Sequence, residues 1–138
     1  MTLACAGVLS AWSTEKEAAD RIRVHRVPGG GLQPQVAVDE QGILHLIYFS
    51  GDARQGNVFY VKSTDDARTF SQPLQVNSQP GSAIATGTIR GAQLALGKAG
   101  RVHVAWNGSG EAQPPGPVNP DSGKSGMPML YARLNTTS

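Results

Sequence analysis

His45, His103 and the triplet Gly123-Lys124-Ser125 are the residues whose types could bind a metal ion or a phosphate. The triplet matches the end of a phosphate-binding loop, but Val118 stands where that loop needs glycine, and no predicted strand precedes it. The two histidines hold equivalent positions in an internal repeat, which favours a shared packing role over metal binding. The single cysteine, Cys5, gives no CxxC or Cys/His spacing typical of zinc. We therefore expect no metal and no cofactor.

The composition indicates an all-β protein. Of 138 residues, 39% are hydrophobic and 16% are charged, which is ordinary for a globular chain. The 17 glycines and nine prolines are scattered between short apolar runs, which predicts many short strands joined by turns. The 12 Lys and Arg residues are spread along the chain with a net charge of +2, so we expect no nucleic-acid partner.

An internal repeat determines the predicted architecture. Residues 35–48 (QVAVDEQGILHLIY) align without a gap with residues 93–106 (QLALGKAGRVHVAW), at a constant offset of 58 positions. Each copy predicts a strand, a tight turn at glycine and a second strand. Residues 59–62 match residues 130–133 as a third strand, after 13 extra residues in the second copy, and a fourth strand is predicted around residues 74–76.

Four short antiparallel strands that recur at this spacing are typical of a β-propeller blade. The strands are nearly continuous apolar runs, as expected when neighbouring blades cover both faces. We predict a partial β-propeller of about one and three-quarter four-stranded blades. Blade one spans about residues 33–77 and the incomplete blade two about residues 91–138. The insertion at residues 108–127 is rich in Gly, Pro and Ser and is predicted to be a mobile loop.

The first 27 residues predict three features. Residues 1–12 are small and apolar like part of a secretory signal but lack a basic start, and a start codon placed too late in the gene explains them equally well. A signal remnant would imply a secreted or periplasmic protein. A short helical lead-in is predicted before residue 22, and the alternation in residues 22–27 (IRVHRV) predicts a strand. No run is long enough to span a membrane.

A polar segment, STDDARTF (residues 63–70), follows the third predicted strand of the first copy. Its Ser and Asp side chains can accept hydrogen bonds from backbone N–H groups of a turn, while its aromatic residue packs beneath. The segment resembles the Asp box (BNR repeat) of sialidases, Ser-x-Asp-x-Gly-x-Thr-Trp/Phe. Four of the five defining positions match: Ser63, Asp65, Thr69 and Phe70. The resemblance implies a structural role for these four residues.

Ala67 occupies the position at which the Asp box has glycine. If that position needs a positive φ angle, the alanine Cβ costs about 1 kcal/mol. In the second copy, residues 134–138 (LNTTS) show no Asp box.

The resemblance also suggests candidate catalytic residues. Sialidases bind the substrate carboxylate with three arginines, attack with a Tyr activated by a Glu, and use an Asp as acid/base. Arg26, followed by Val27-Pro28, is similar to the Arg-Ile-Pro motif that carries the first arginine. Asp52 and Arg54 lie in the loop that holds an Arg and the catalytic Asp in the family, in reversed order. The alternatives are a surface arginine and an exposed polar loop.

The resemblance therefore implies a sialidase-like (exo-α-sialidase, neuraminidase) protein that acts on or recognises sugar chains. The family's Glu, Tyr nucleophile and third Arg belong to blades that this chain does not contain, so we expect a fragment that is inactive alone. Tyr48, Tyr60 and Tyr131 are predicted to be packing residues. The alternative is a non-catalytic propeller module that binds proteins or glycans. The expected partners are glycans or sialosides, and further blades or self-association.

Overall fold

The computed structural model describes residues 21–87 and 91–134, and this part of the chain is all-β. Its strands form two antiparallel sheets, which confirms the predicted fold class at that level. No helix in the described ranges has the length and apolarity needed to cross a membrane. The strands are β1 (Leu32–Val38), β2 (Leu44–Asp52), β3 (Gln55–Ser63), β4 (Leu74–Gln75), β5 (Gln93–Leu96), β6 (Val102–Asn107) and β7 (Met129–Leu134).

The first sheet has the order β1-β2-β3-β4, so each strand pairs with the next along the chain. The turn between β1 and β2 is organised by Asp39, whose Oδ1 accepts hydrogen bonds from the N–H groups of Gln41 (3.0 Å) and Ile43 (2.8 Å). Gly42 supplies the positive φ of 78° that this turn needs. The predicted fourth strand is present as the short β4.

The second sheet, in the order β5-β6-β7, repeats the register of the first. Val36 pairs with Leu46 in the first sheet, and Leu94 pairs with Val104 in the second, so the sequence offset of 58 is retained in the strand pairing. Each sheet has two faces, because successive residues of a strand point to opposite sides. We name the face that carries His45 or His103 the histidine face, and the face that carries Leu46 or Val104 the aliphatic face.

The two sheets pack against each other by unlike faces. The histidine face of the first sheet lies against the aliphatic face of the second, and the core forms between them. The buried side chains of this core include Ile47, Phe49, Val58 and Tyr60 from the first sheet, and Val102, Val104 and Trp106 from the second. On the aliphatic face of the first sheet, a smaller cluster of Leu46, Tyr48 and Val61 is partly covered by Val27 and Phe70.

A crossover segment after β4 connects the two sheets along one end. Ala83 forms bridges to Gly56 of the first sheet and to Gly108 next to β6. Asn77, only 1% exposed, holds the start of this segment: its Oδ1 accepts a hydrogen bond from Val58 N (2.9 Å), and its Nδ2 donates to Asn57 Oδ1 (2.9 Å) and Ser82 Oγ (3.1 Å). The crossover thereby sets how the sheets face each other.

The loop between β6 and β7 begins as a packed segment. Ser109 and Ala112 are fully buried, and Ser109 N donates to Ser82 O at 3.0 Å. The Gln79 side chain donates to Glu111 O (2.7 Å) and accepts from Gln113 N (2.8 Å). The mobility predicted for residues 108–127 stays a prediction, but these contacts attach the start of the loop to the crossover.

The strand predicted at residues 22–27 is absent, so that prediction was wrong. Ile22 is 68% exposed and Val24 is 91% exposed, and the segment has no strand assignment. An alternating pattern forms a strand only where a partner strand and an apolar surface are available, and here only Val27 reaches the core. The predicted signal remnant and helical lead-in at residues 1–21 lie, apart from Arg21, outside the described residues.

We expect Asn77→Ala to lower the free energy of unfolding by about 2 to 4 kcal/mol, because it leaves buried partners such as Val58 N without a hydrogen bond. Asn119→Ala is the matched control. Asn119 accepts hydrogen bonds from Asp121 N and Ser122 N in an exposed loop, and its loss should cost less than about 1 kcal/mol. Urea unfolding measures both values, and equal losses would contradict the anchoring role of Asn77.

Candidate functional site

The Asp-box segment forms a hydrogen-bonded turn directly after β3. Ser63 Oγ donates to Asp65 Oδ1 at 2.8 Å and accepts a hydrogen bond from Ala67 N at 3.0 Å. Asp65 also accepts two hydrogen bonds from Thr69, from its N–H to Oδ1 (2.9 Å) and from its hydroxyl to Oδ2 (2.6 Å). Three of the four matched positions therefore make the side-chain bonds that hold the turn.

The carboxyl group of Asp65 is stabilised as an anion by this turn. The hydrogen bonds from the Thr69 hydroxyl and N–H, followed by the bond from Ser63, lower the pKa of Asp65 from 3.8 to about 2. Both oxygens of the carboxylate are already used inside the turn. Asp65 is thus a structural acceptor rather than a free acid or base.

The fourth matched residue, Phe70, packs beneath the turn against the cluster of Leu46, Tyr48 and Val61. Ser71 then returns the chain to β3, because its N–H donates to Lys62 O (2.9 Å) and its Oγ accepts from Lys62 N (3.0 Å). The Asp box therefore connects the end of β3 to the aliphatic face of the first sheet, which is a scaffold role.

The centre of the turn contains two residues in the left-handed region, Asp66 (φ 56°) and Ala67 (φ 61°). Arg68 N donates to Asp65 O at 3.3 Å and closes the turn. Two successive positive φ angles are the geometry in which Asp-Gly is preferred. Ala67 therefore carries the backbone strain that the sequence predicts for this position.

A buried cluster of Asp39, His45 and Tyr60 lies where the two sheets meet. His45 Nδ1 lies 2.8 Å from the Tyr60 hydroxyl, and His45 Nε2 lies 3.2 Å from Asp39 Oδ2. With the imidazole neutral, Nε2–H donates to the carboxylate and Nδ1 accepts from the phenol. Burial, together with the Asp39 charge, raises the pKa of Tyr60.

The carboxyl group of Asp39 experiences opposing effects. Burial raises its pKa, but the hydrogen bonds from His45 and from the N–H groups of Ile43 and Gln41 outweigh burial, so that the pKa is lowered overall. A cleft of about 500 Å³ opens beside the cluster, lined by Asp39, Tyr60 and Lys62 of one sheet and by Gly100, Val102 and Leu134 of the other. Asp39 already binds its neighbours with both oxygens, so it is not a free base.

The second sheet contains the same histidine–tyrosine pair without the carboxylate. His103 Nδ1 lies 2.7 Å from the Tyr131 hydroxyl, and their rings stack at 6.0 Å as those of His45 and Tyr60 do at 5.9 Å. Gly97 replaces Asp39, and a Cβ there would lie 2.5 Å from His103 Nε2. The pair is therefore a repeated packing feature. The recurrence of both residues at matched repeat positions was the available sequence signal for this pairing.

The three candidate catalytic residues lie in two separate places. Asp52 ends β2, and its Oδ1 accepts a hydrogen bond from Arg54 N at 2.8 Å in an exposed hairpin turn. Arg26 instead lines an apolar groove with Leu44, Leu46 and Phe70, near the other end of β2. Six strand residues from Leu46 to Asp52 correspond to about 20 Å. The structure thus brings Asp52 and Arg54 together and leaves Arg26 apart.

Two of the three tyrosines are packed in the protein. Tyr48 is 3% exposed and Tyr60 is 9% exposed, and burial raises the pKa of both phenols. Tyr131 is 62% exposed on the histidine face of the second sheet.

Within residues 21–87 and 91–134, no group of three His, Cys, Asp or Glu side chains lies close enough to hold a metal ion.

Comparisons with protein-family models, with curated proteins and with solved structures find no match for this chain. The functional argument therefore depends on the geometry described above.

We expect Ala67→Gly to raise the free energy of unfolding by about 0.5 to 1 kcal/mol, because glycine adopts the positive φ without strain but loses more chain entropy on folding. Ala37→Gly in β1 is the matched control and should lower the free energy by about 0.5 to 1 kcal/mol, since no such strain is relieved there. Chemical denaturation of both variants measures the difference. Destabilisation by both substitutions would contradict the strained turn.

The lowered pKa of Asp65 predicts a pH-dependent contribution to stability. The unfolded chain binds this proton near pH 3.8 and the folded chain near pH 2, so the ionised carboxylate stabilises the fold above pH 3.8 and this contribution is lost as the pH falls towards 2. The stability difference between wild type and Asp65→Asn should therefore shrink over that interval.

Thr69→Val tests the cause of the lowered pKa, because it removes the shortest hydrogen bond to the carboxylate. Without this bond the pKa of Asp65 in the folded variant should lie closer to 3.8. The stability of the variant should therefore change with pH over a narrower interval than that of the wild type. Acid titrations of the unfolding free energy provide the measurement. A difference between wild type and Asp65→Asn that stays constant across the interval would disprove the role of Asp65 ionisation.

Proposed function

We propose that this chain is part of a sialidase-like Asp-box β-propeller that recognises sugar chains, and that these residues alone do not hydrolyse them. The observation that carries the proposal is the Asp-box turn. Ser63, Asp65 and Thr69 make the hydrogen bonds that the motif's residue types suggest, and Phe70 packs beneath, directly after the third strand of a sheet. The same segment is the basis of the family resemblance.

The stacking of the sheets supports the propeller part of the proposal. A contact between unlike faces of two equivalent units is head-to-tail, and such a contact can be repeated around an axis. A propeller consists of four to eight such sheets arranged radially. The outer face of the second sheet exposes Met129 (69%) and Tyr131 (62%), which a further sheet would cover.

The sugar-binding surface in this proposal is the hairpin turn that contains Asp52 and Arg54. Both residues are exposed, and the bond from Arg54 N to Asp52 Oδ1 holds the carboxylate beside the arginine backbone. A guanidinium binds a carboxylate in a bidentate manner, which suits a sialoside, and a second carboxylate oxygen can accept a sugar hydroxyl. The hairpin register from Leu44↔Ser63 to Asp52↔Gln55 positions this turn at the end of the first sheet.

Two observations argue against turnover by this chain and favour the alternative, a non-catalytic binding module. Arg26 lines the groove beside Leu44 and Leu46, and Leu46 is about 20 Å along β2 from Asp52, so the candidate residues do not form one site. Tyr48 and Tyr60 are buried with raised pKa values, which makes them poor nucleophiles. We therefore assign recognition rather than turnover to this chain.

We expect the purified chain to bind immobilised sialylated glycans and to release no fluorophore from a fluorogenic sialoside. Arg54→Gln and Asp52→Asn should each weaken binding severalfold, because each removes one of the exposed groups of the hairpin. Arg68→Gln is the control, since Arg68 lies on the Asp-box turn near the opposite end of β3. Surface plasmon resonance on matched sialylated and desialylated surfaces measures these differences.

Fluorophore release that vanishes in Asp52→Asn would overturn the assignment of recognition without turnover. Equal binding by Arg54→Gln, Asp52→Asn and wild type would remove the hairpin as the sugar-binding surface. Absence of binding to any glycan surface would count against the sugar-recognition function itself.

A further inference from the structure

Within residues 21–87 and 91–134, two sheet faces carry exposed apolar side chains, and each has an occupied counterpart among the same residues. The histidine face of the second sheet exposes Met129 and Tyr131, whereas Val58 and Tyr60 at the matched positions of the first sheet are 1% and 9% exposed beneath the second sheet. The internal repeat therefore shows which kind of surface covers a histidine face. That surface is an aliphatic face.

The aliphatic face of the first sheet is open along β1, whereas Leu46, Tyr48 and Val61 on its other strands are already buried. Val36 and Val38 on β1 are 59% and 61% exposed, whereas Leu94 and Leu96 at the matched positions of β5 pack against the core. Beside them an apolar groove of about 230 Å³ is lined by residues that include Val36, Leu44 and Phe70. Large side chains at such exposure on a continuous face are typical of an interaction surface.

We propose that the histidine face of the second sheet docks onto the aliphatic face of the first sheet of a second copy of this chain. Along β1 the contact would repeat between molecules the head-to-tail packing that joins the two sheets within one molecule, and it presupposes the blade stacking proposed above. A contact of this kind is heterologous, so it uses a different surface on each partner and leaves one open face at each end until the copies close into a ring.

The charges of the turns favour this order of sheets. The turn between β1 and β2 carries Asp39 and Glu40, and the equivalent turn between β5 and β6 carries Lys98. The two turns lie side by side in the chain and line a common groove with Glu40 and Lys98 on opposite sides. In the proposed contact, the second sheet of one copy lies on the first sheet of another copy. This arrangement again places a basic turn beside an acidic turn. Stacking two first sheets would place two acidic turns together.

The described residues form two sheets, so a ring of two to four copies would provide the four to eight sheets of a propeller.

Light scattering of the purified full chain tests the proposal by mass. The wild type should show at least twice the 14.5 kDa of a single chain. Tyr131→Glu blocks the histidine face and Val38→Glu blocks the aliphatic face, so each variant should be monomeric alone. Because each variant retains one intact face, an equimolar mixture should form a dimer that cannot grow. Val118→Glu, in an exposed loop, is the control and should associate as wild type does.

A wild type that stays monomeric at its highest soluble concentration would overturn the proposal. The two faces would then be covered by something other than a second copy, such as residues 1–20 or another polypeptide. A mixture of the two variants that fails to form a dimer would also overturn it, provided that both retain the wild-type unfolding midpoint. A monomer that still binds glycans would refute the self-association alone. An assembled chain that binds no glycan would refute the sugar-recognition function and leave the docking contact intact.

Discussion

The contact between the histidine face of the first sheet and the aliphatic face of the second buries the apolar side chains on which the fold depends. Ile47, Val102 and Val104 are fully buried, and Phe49 and Trp106 are nearly so. Because the two sheets share a register and a repeat, this contact assigns opposite roles to equivalent residues. Leu46 lies in the smaller cluster on the outer side of the first sheet, whereas Val104, its equivalent, lies between the sheets.

The same contact explains how the repeat has diverged. The histidine–tyrosine pair is retained in both sheets, since it forms within one sheet between neighbouring strands and needs no second sheet. The carboxylate of Asp39 is present only in the first copy, at the rim of the cleft between the sheets. Gly97 takes that position in the second copy, where an added Cβ would lie 2.5 Å from His103 Nε2 and the ring would have to shift. The histidine–tyrosine packing is thus common to both copies, whereas the carboxylate beside the histidine is present only in the first.

The Asp box and the hairpin turn with Asp52 serve different purposes in this arrangement. The Asp box uses its polar groups internally, which stabilises the turn but leaves its carboxylate with both oxygens bound. The hairpin turn presents Asp52 and Arg54 to solvent at the other end of β2 and β3. A single sheet therefore separates the groups that hold the turn together from those that are exposed at its other end.

The amino-acid sequence by itself determined the all-β class, the repeat, the tight turns and the Asp-box geometry, because these depend on contacts between residues close along the chain. The strain at Ala67 follows from such local contacts as well. Only the tertiary structure decided which faces meet, that Arg26 lies far from Asp52, and that residues 22–27 form no strand. Alternation along a strand distinguishes two faces but does not identify their partners, since the partner depends on the crossover that Asn77 anchors.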